Sequence, residues 1–253
     1  MLCEQRRQEI VHLVQRLGRV DVANLSQQFN TSEATIRSDL KKLHLRGFVQ
    51  RTHGGAVNPE LVNIDPSLHQ KLKLHADEKD RIGRAAATLI NDGESIILDS
   101  GTTTQQIAKH IKARKNLQVI TNGVNVAMEL LGAPGIELIL LGGPVRQNSF
   151  SVVGHFATEM LEQFSADKLF IGADACDLDF GLTTPNLEES QVNQAMVRIV
   201  KERILVADSS KFGKRSLARI MSLSELDKVI SDSALPENIQ AELRQRGIDV
   251  ILA

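Results

Sequence analysis

Near the start of the chain, apolar side chains recur at helical spacing. Val22, Leu25 and Phe29 fall at i, i+3 and i+7, and Ile36, Leu40 and Leu43 at i, i+4 and i+7. The pattern predicts two short amphipathic helices joined by a tight turn within Asn24–Leu45, the first beginning a little earlier. Ahead of them, Ile10, Val11, Leu13, Val14 and Leu17 mark a further helix over Glu4–Leu17. After them, Gly47–Val57 is short, glycine-bearing and β-prone in its middle, which suits a small two-stranded wing. Gly54-Gly55 would let the backbone turn sharply or approach a phosphate closely. Together these elements are the inventory of a winged helix-turn-helix domain over residues 1–57.

Residues 58–74 carry Pro59 and Pro66 and show little periodicity until their end, so they are expected to connect two domains. A helix resumes near Asp77 and runs to Ile90 through Ile82, Ala86 and Leu89. Short apolar runs then alternate with helical segments. The expected strands are Ser95–Asp99, Gln118–Thr121, Glu137–Leu141, Lys168–Ile171, Ile204–Ala207, Lys228–Ile230 and Asp249–Leu252. The expected helices include Thr103–Lys112, Val124–Leu131, Glu188–Lys201 and Glu237–Arg246. That alternation implies an α/β domain over residues 75–253, a largely parallel sheet covered by helices.

Charge sharpens the division. Residues 1–57 hold nine Lys/Arg against five Asp/Glu, and the remainder holds 21 against 26, so an overall charge of −1 conceals a basic head on an acidic body. No apolar run approaches the ~20 residues of a membrane helix, and the N-terminus MLCEQRRQEI lacks the apolar core of a signal peptide. Cys3 and Cys176 form no metal-ligand or redox motif, and a reducing cytoplasm is the expected location. With no Trp or Tyr and eight Phe, the chain is poorly equipped to stack on single-stranded nucleic acid. No motif asks for a metal or a cofactor.

Ser32 is placed to N-cap the second helix of the pair. Its outer face carries Thr35, Arg37, Ser38, Lys41 and Lys42. A helix so decorated fits the major groove, with Thr35, Arg37 and Ser38 near base edges and Lys41 and Lys42 near phosphates. Arg51 and His53, near the wing tip, are further backbone contacts. The same pattern also suits an ordinary helical hairpin with a solvated basic face.

In parallel sheets, ligands gather at the carboxyl ends of strands. Five strand ends here run into polar or glycine-rich residues. Asp99, Ser100, Gly101, Thr102, Thr103 and Thr104 lead into a helix, where hydroxyls, a glycine and free helix amides make a phosphate cradle, or simply a capped turn. The others are Thr121-Asn122-Gly123, Gly142-Gly143, Gly172–Asp177 and Asp208-Ser209-Ser210-Lys211. Converging at one edge, they suit a phosphate and a polyol: Lys211 pairs with phosphate, and Asn122, Asp174 and Asp177 meet hydroxyls. Glu188 and Glu189 open a helix that reaches the same pocket, although a first-turn Glu also serves the helix dipole.

These residues carry a resemblance to the DeoR family, bacterial regulators of sugar catabolism. In the head it rests on Ser32, Thr35-Ile36-Arg37, Asp39-Leu40 and Arg51-Thr52-His53-Gly54-Gly55-Ala56. In the body it rests on Asp99–Thr104, Thr121-Asn122-Gly123, Leu141-Gly142-Gly143, Gly172-Ala173-Asp174, Gly181-Leu182-Thr183-Thr184 and Ala207–Gly213. Within the family the chain is most similar to regulators of amino-sugar (galactosamine and N-acetylgalactosamine) use. The resemblance implies a C-terminal, Rossmann-like sensor related in fold to ribose-5-phosphate isomerase and binding a phosphorylated sugar. The phosphate loop then falls on Ser100–Thr104, the substrate-side aspartates on Asp174 and Asp177, the catalytic glutamate on Glu188 or Glu189, and the late lysine on Lys211. The isomerase has a lysine between its aspartates and its glutamate, whereas Ala173–Glu189 contains none.

The expected function is therefore a repressor that binds double-stranded operator DNA as a dimer or tetramer and is relieved by a sugar phosphate. Two other readings differ in what they require. An active isomerase with a DNA-binding head needs turnover despite the missing lysine. A scaffold with a protein-binding head lacks the steep salt dependence of phosphate contacts.

Overall fold

The computed structural model describes residues 3–52, 54–57 and 65–253. The chain divides into unit 1, Met1–Leu74, and unit 2, His75–Ala253.

In unit 1, α1 (Cys3–Leu17), α2 (Val22–Gln28) and α3 (Glu33–Leu45) enclose one apolar core. Ile10, Leu13, Val14, Val22, Leu25, Ile36, Leu40 and Leu43 fill it. Leu17 points outward instead, 61% exposed. Asn30, in the left-handed region at φ 47, turns the chain between α2 and α3. The wing has one strand more than expected. β1 (Arg19–Asp21) pairs antiparallel with β3 (Gly55–Val57), which also pairs with β2 (Gln50–Arg51).

The stretch expected to connect the domains is only partly a connector. Residues 58–64 lie outside the described residues, but α4 (Leu68–Lys73) is a helix of unit 1. Ser67 and Gln70 form a reciprocal capping box, Leu68 is buried, and Gln70 Nε2 donates to the His44 carbonyl at 3.2 Å. A helix of six residues, under two turns, is too short for periodicity to reveal, which is why this part read as linker.

Unit 2 opens with α5 (Ala76–Thr88) and then builds a seven-stranded sheet. Its strands are β4 (Ser95–Leu98), β5 (Leu117–Thr121), β6 (Ile136–Leu140), β9 (Ala166–Ile171), β12 (Val200–Val206), β14 (Lys228–Ser231) and β15 (Asp249–Leu252). All seven expected strands are present, in the order β15-β14-β12-β9-β4-β5-β6, and every pairing is parallel.

Strand alternation sends neighbouring residues into two cores. Ile96 and Leu98 pack with α5, α6 (Thr102–His110) and α7 (Val124–Leu130); Ile97 packs on the opposite face. That second face is covered by α8 (His155–Leu161), α9 (Leu187–Arg198) and α10 (Glu237–Gln245). Burial on both faces explains why the five inner strands read as near-continuous apolar runs, while the edge strands β6 and β15 are only partly buried. Three shorter elements were not anticipated: the hairpin β7 (Val145–Arg146) with β8 (Ser151–Val152), helix α8, and a small antiparallel sheet. That sheet is made of β10 (Ala175–Asp177), β11 (Gly181–Thr184) and β13 (Ala218–Met221).

The sheet order places the site. The chain steps outward from β4 through β5 to β6, then returns to the other side of β4 as β9. β4 and β9 are therefore adjacent strands whose connections leave in opposite directions, which opens a crevice at their carboxyl ends.

Candidate functional site

In unit 1 the recognition surface starts at a cap. Ser32 Oγ accepts from the Thr35 amide at 3.2 Å and shares a 2.9 Å hydrogen bond with the Thr35 hydroxyl. These hydroxyls hold the start of α3, and Thr35 is half-buried. Arg37, Ser38, Lys41 and Lys42 are exposed, and their spacing puts them on one face of α3. Arg37 already has a partner on its own helix, donating to Glu33 at 2.6 Å. Arg51 is exposed on β2, and His53 lies outside the described residues.

The double glycine does two different things. A Cβ on Gly55 would lie 2.0 Å from the Val20 carbonyl oxygen, so only glycine lets β3 approach β1. Gly54 has open space around it, and its carbonyl accepts from the Val22 amide at the start of α2. The close approach expected toward a phosphate is, at Gly55, an approach to the neighbouring strand.

In unit 2 the crevice at the ends of β4 and β9 is organised by Asp99. Its carboxylate accepts from the Ser100 amide at 2.7 Å and the Gly172 amide at 3.3 Å. The Ser100 amide also donates to Asn122 Oδ1 at 2.8 Å, which joins the ends of β4 and β5. Burial pushes the Asp99 carboxyl up to about 7. The neighbouring Asn193 amide and the backbone N–H groups of Ser100 and Gly172 oppose the rise, while the Glu189 carboxylate adds to it.

Next to it, Gly101 has φ 140 and ψ 176, a conformation open essentially to glycine alone. It releases the chain into α6. Gln105 is the first amide of α6 to find a helical partner, Gly101 O, which leaves the amides of Thr102, Thr103 and Thr104 outside the helical ladder. The three threonine side chains are buried. Asn125, from the first turn of α7, donates to Gly101 O at 2.8 Å and braces this loop.

The far wall of the crevice is α9. Of the two glutamates expected at this helix start, Glu188 is exposed and Glu189 is buried, so the inward carboxylate is Glu189. Asn186 caps α9 by accepting from the Glu189 amide at 2.9 Å, which fixes the helical phase and turns Glu188 outward. Glu189 accepts from Ser151 Oγ at 2.8 Å, Thr184 Oγ1 at 3.3 Å and Arg146 at 3.4 Å. The Thr184 hydroxyl also lies 3.2 Å from Asp174, bringing that aspartate into the same cluster.

Other expected members stand apart. Asp177 Oδ1 accepts from the amides of Asp179 and Phe180 and from Arg215 Nη2, which closes the turn between β10 and β11. Arg215, before those amides, holds its carboxyl below the usual range. Asp177 is thus a turn residue, because the run after β9 becomes a hairpin rather than a loop. Gly142 and Gly143 shape the exposed turn from β6 toward β7 and bring no polar side chain. Lys211 is half-buried at the end of a single 3-10 turn capped by Asp208, with the Ser209 amide anchored on Asp232 at 2.6 Å.

Among the described residues, four buried side-chain atoms have no partner at all, namely Asn122 Nδ2, Asn125 Oδ1, Asp208 Oδ2 and Ser231 Oγ, while Asn193 Nδ2 has only the Asp99 carboxylate beside it. Asn122, Asp208 and Ser231 end or follow strands β5, β12 and β14, Asn125 is in the first turn of α7, and Asn193 neighbours Asp99. Buried polar groups are normally satisfied, so their concentration at the carboxyl edge makes that edge the candidate ligand site. Asn125, Arg146, Ser151 and Asn193 join the candidate site only through the fold and were not named from the sequence, and Thr184 was named there only as part of the family pattern. Glu189, Ser190 and Asn193 were detectable as polar residues on the side of α9 where the period demands apolar ones. Among the described residues, no acidic, His or Cys cluster suits a metal ion, and no helix is long and apolar enough to cross a membrane.

Comparison with known proteins agrees with this architecture. A model of the DeoR-like helix-turn-helix domain matches residues 6–61, and one of the DeoR C terminal sensor domain matches residues 74–233. The putative aga operon transcriptional repressor of Escherichia coli O157:H7 is 38% identical over 250 residues, covering 98% of this chain and 93% of its own. The transcriptional repressor GlcR of Bacillus subtilis is 34% identical, covering all of this chain and 97% of its own. Ribose 5-phosphate isomerase A of Methanocaldococcus jannaschii gives a TM-score of 0.42 at 19% identity over 56% of each chain, too slight a likeness to assign any residue a role. Matched in both units and along nearly its whole length, the chain belongs to the DeoR family and is a DNA-binding transcriptional regulator.

Proposed function

We propose that this regulator represses an operon for the breakdown of a sugar or amino sugar, and that a phosphorylated sugar bound at the β4/β9 crevice releases it from DNA. The observation that carries the ligand site is the group of unpartnered buried polar atoms along the carboxyl edge, beside Asp99 and the open start of α6. The phosphate would take the amides of Thr102–Thr104 together with Lys211. The polyol would take Asn122, Asp174 and Glu189. The amino-sugar class draws support from the relative named for the aga operon.

On the DNA side, Arg37 and Ser38 are the base-edge residues, with Thr35 beside them, and Lys41, Lys42 and Arg51 contact the backbone. One small head offers little contact area, so two copies would read paired half-sites. For the effector to act, it must bind the DNA-free state more tightly than the DNA-bound one. Isomerase chemistry is the weaker reading: the relatives are transcriptional regulators, and Ala173–Glu189 contains no lysine where the isomerase has one between its aspartates and its glutamate.

The test is thermal stability against a panel of sugar phosphates, including galactosamine 6-phosphate and tagatose phosphates. A ligand at one hundred times its dissociation constant adds about 2.7 kcal/mol of stability. A shift with one sugar phosphate that Lys211→Ala abolishes supports the reading. No shift across the panel overturns the sugar-phosphate part of it.

A further inference from the structure

Asp39 is an anomaly in the head. It lies on the inward side of α3 among Ile36, Leu40 and Leu43, and is 2% exposed. A lone carboxylate there would be costly to bury. Two consecutive residues of α1 hold it. Arg6 Nε donates to Oδ2 at 2.7 Å and Arg7 Nε to Oδ1 at 2.8 Å.

The cluster continues beyond Asp39. Arg7 also donates to Glu4 at 2.9 Å, and Glu4 accepts from Arg46 at 2.9 Å. Arg46 is the C-cap of α3. The charged chain Arg6–Asp39–Arg7–Glu4–Arg46 thus ties α1 to α3 at two points, seven residues or about 10 Å apart along the helix axis.

Such a tie does little for stability, since a buried ion pair gains back roughly what desolvation costs, but it is directional where apolar packing is not. The apolar contacts of Ile36, Leu40 and Leu43 are non-directional and single out no one hydrogen-bond geometry. The two-oxygen grip on Asp39 does. Side-chain tips ride about 5 Å from a helix axis, so a 20° rotation would move them roughly 2 Å, enough to break hydrogen bonds to a base edge. Arg37 and Ser38 directly precede Asp39 in the sequence and inherit its placement.

We infer that Arg6, Arg7 and Asp39, extended through Glu4 to Arg46, pin the rotation and register of the recognition helix. Asp39 and Arg6 are buried and Arg7 is largely so, and all three act as positioning residues through α3; what they add beyond apolar packing is sequence discrimination.

The test uses the full chain and two probes at one fixed salt concentration. One is a duplex selected from a random pool by the unaltered protein, and the other is a scrambled duplex of equal length. Asp39→Asn removes the charge while nearly keeping the shape. The expected result is a specific-to-non-specific affinity ratio lowered by about tenfold or more, comparable to one lost base contact, with scrambled-duplex binding nearly unchanged. An unchanged ratio overturns the inference, as does a parallel loss of both affinities. Should Asp39→Asn fail to fold, the triple variant Arg6→Met, Arg7→Met, Asp39→Leu replaces the cluster by apolar packing. It is expected to fold, and the same comparison of ratios decides.

Discussion

Arg37 Nη2 and Glu33 Oε2 lie 2.6 Å apart, one turn from each other on the exposed face of α3. The side chain proposed to read bases is therefore paired in the free protein. An exposed helical pair of this kind is worth about 0.3–0.5 kcal/mol, so DNA displaces Glu33 easily. Arg37→Ala is expected to cost about 1–3 kcal/mol on a selected duplex and much less on a scrambled one. Glu33→Gln removes a negative charge from the DNA-facing turn and should strengthen binding to both duplexes alike. Titrations of both variants check this. Equal losses on both duplexes for Arg37→Ala would reassign Arg37 to the phosphate backbone.

Glu188 and Glu189 make a sharper contrast, because one helix places them in different environments. Glu189 meets Ser151, Thr184 and Arg146 inside the crevice, and Glu188 faces solvent. Glu189→Gln is expected to lose most of the thermal shift produced by the sugar-phosphate ligand, and Glu188→Gln to keep it. The reverse result would mean that α9 is rotated in the liganded protein.

How far these assignments were legible in the sequence depends on the range of the interactions behind them. The five inner strands of the parallel sheet were readable because burial on both faces writes each as a local apolar run, and the partly exposed edge strands β6 and β15 because they are short apolar segments between turn residues. Ser32 was readable as a cap because its partner is three residues away. The hairpin bearing Arg146 and Ser151 was not. Its strands are two residues each, and the contact that gives it meaning crosses 38 residues to Glu189. The turn role of Asp177 was not legible, because Asp is equally at home in a turn and in a binding site, and the pairing of β10 with β11 across it is not written locally. Asp39 entered the sequence reading only as part of the family pattern, because Arg6 and Arg7, which meet it, lie 33 and 32 residues away.

Asp99 gives a pH signature whose sign follows from linkage. Its ordinary value is 3.8, and burial first, with Glu189 assisting, takes it to about 7 in the folded chain. Between those values the folded state holds a proton that the unfolded state has released. Its contribution therefore favours folding at low pH and is lost as pH rises from about 4 to 7. A shift of roughly three units corresponds to at most about 4 kcal/mol. Asp99→Asn, which cannot ionise, is expected to flatten the fall in melting temperature between pH 5 and pH 8 and to melt above the unaltered protein at the upper end, about one unit past the Asp99 value. Parallel pH profiles for the two proteins would show that Asp99 is ionised throughout.

Gly54 and Gly55 are adjacent, yet their replacement should have opposite consequences. A Cβ at Gly55 meets the Val20 carbonyl oxygen at 2.0 Å and the Asp21 Cα at 2.9 Å, both backbone atoms that cannot swing aside. Gly55→Ala must separate β3 from β1, with a cost of several kcal/mol confined to the head, at the upper end of single-substitution effects. At Gly54 nothing lies within 4 Å, and the carbonyl that accepts from Val22 is retained. Gly54→Ala should therefore stay within about 0.5 kcal/mol. Hydrogen exchange on the full chain separates the two. Gly55→Ala is expected to lose protection across residues 19–57 and to lose DNA binding, while the parallel sheet of unit 2 keeps its protection. Protection in the wing left intact by Gly55→Ala would mean that β1 and β3 are farther apart in solution than their pairing of Asp21 with Gly55 places them.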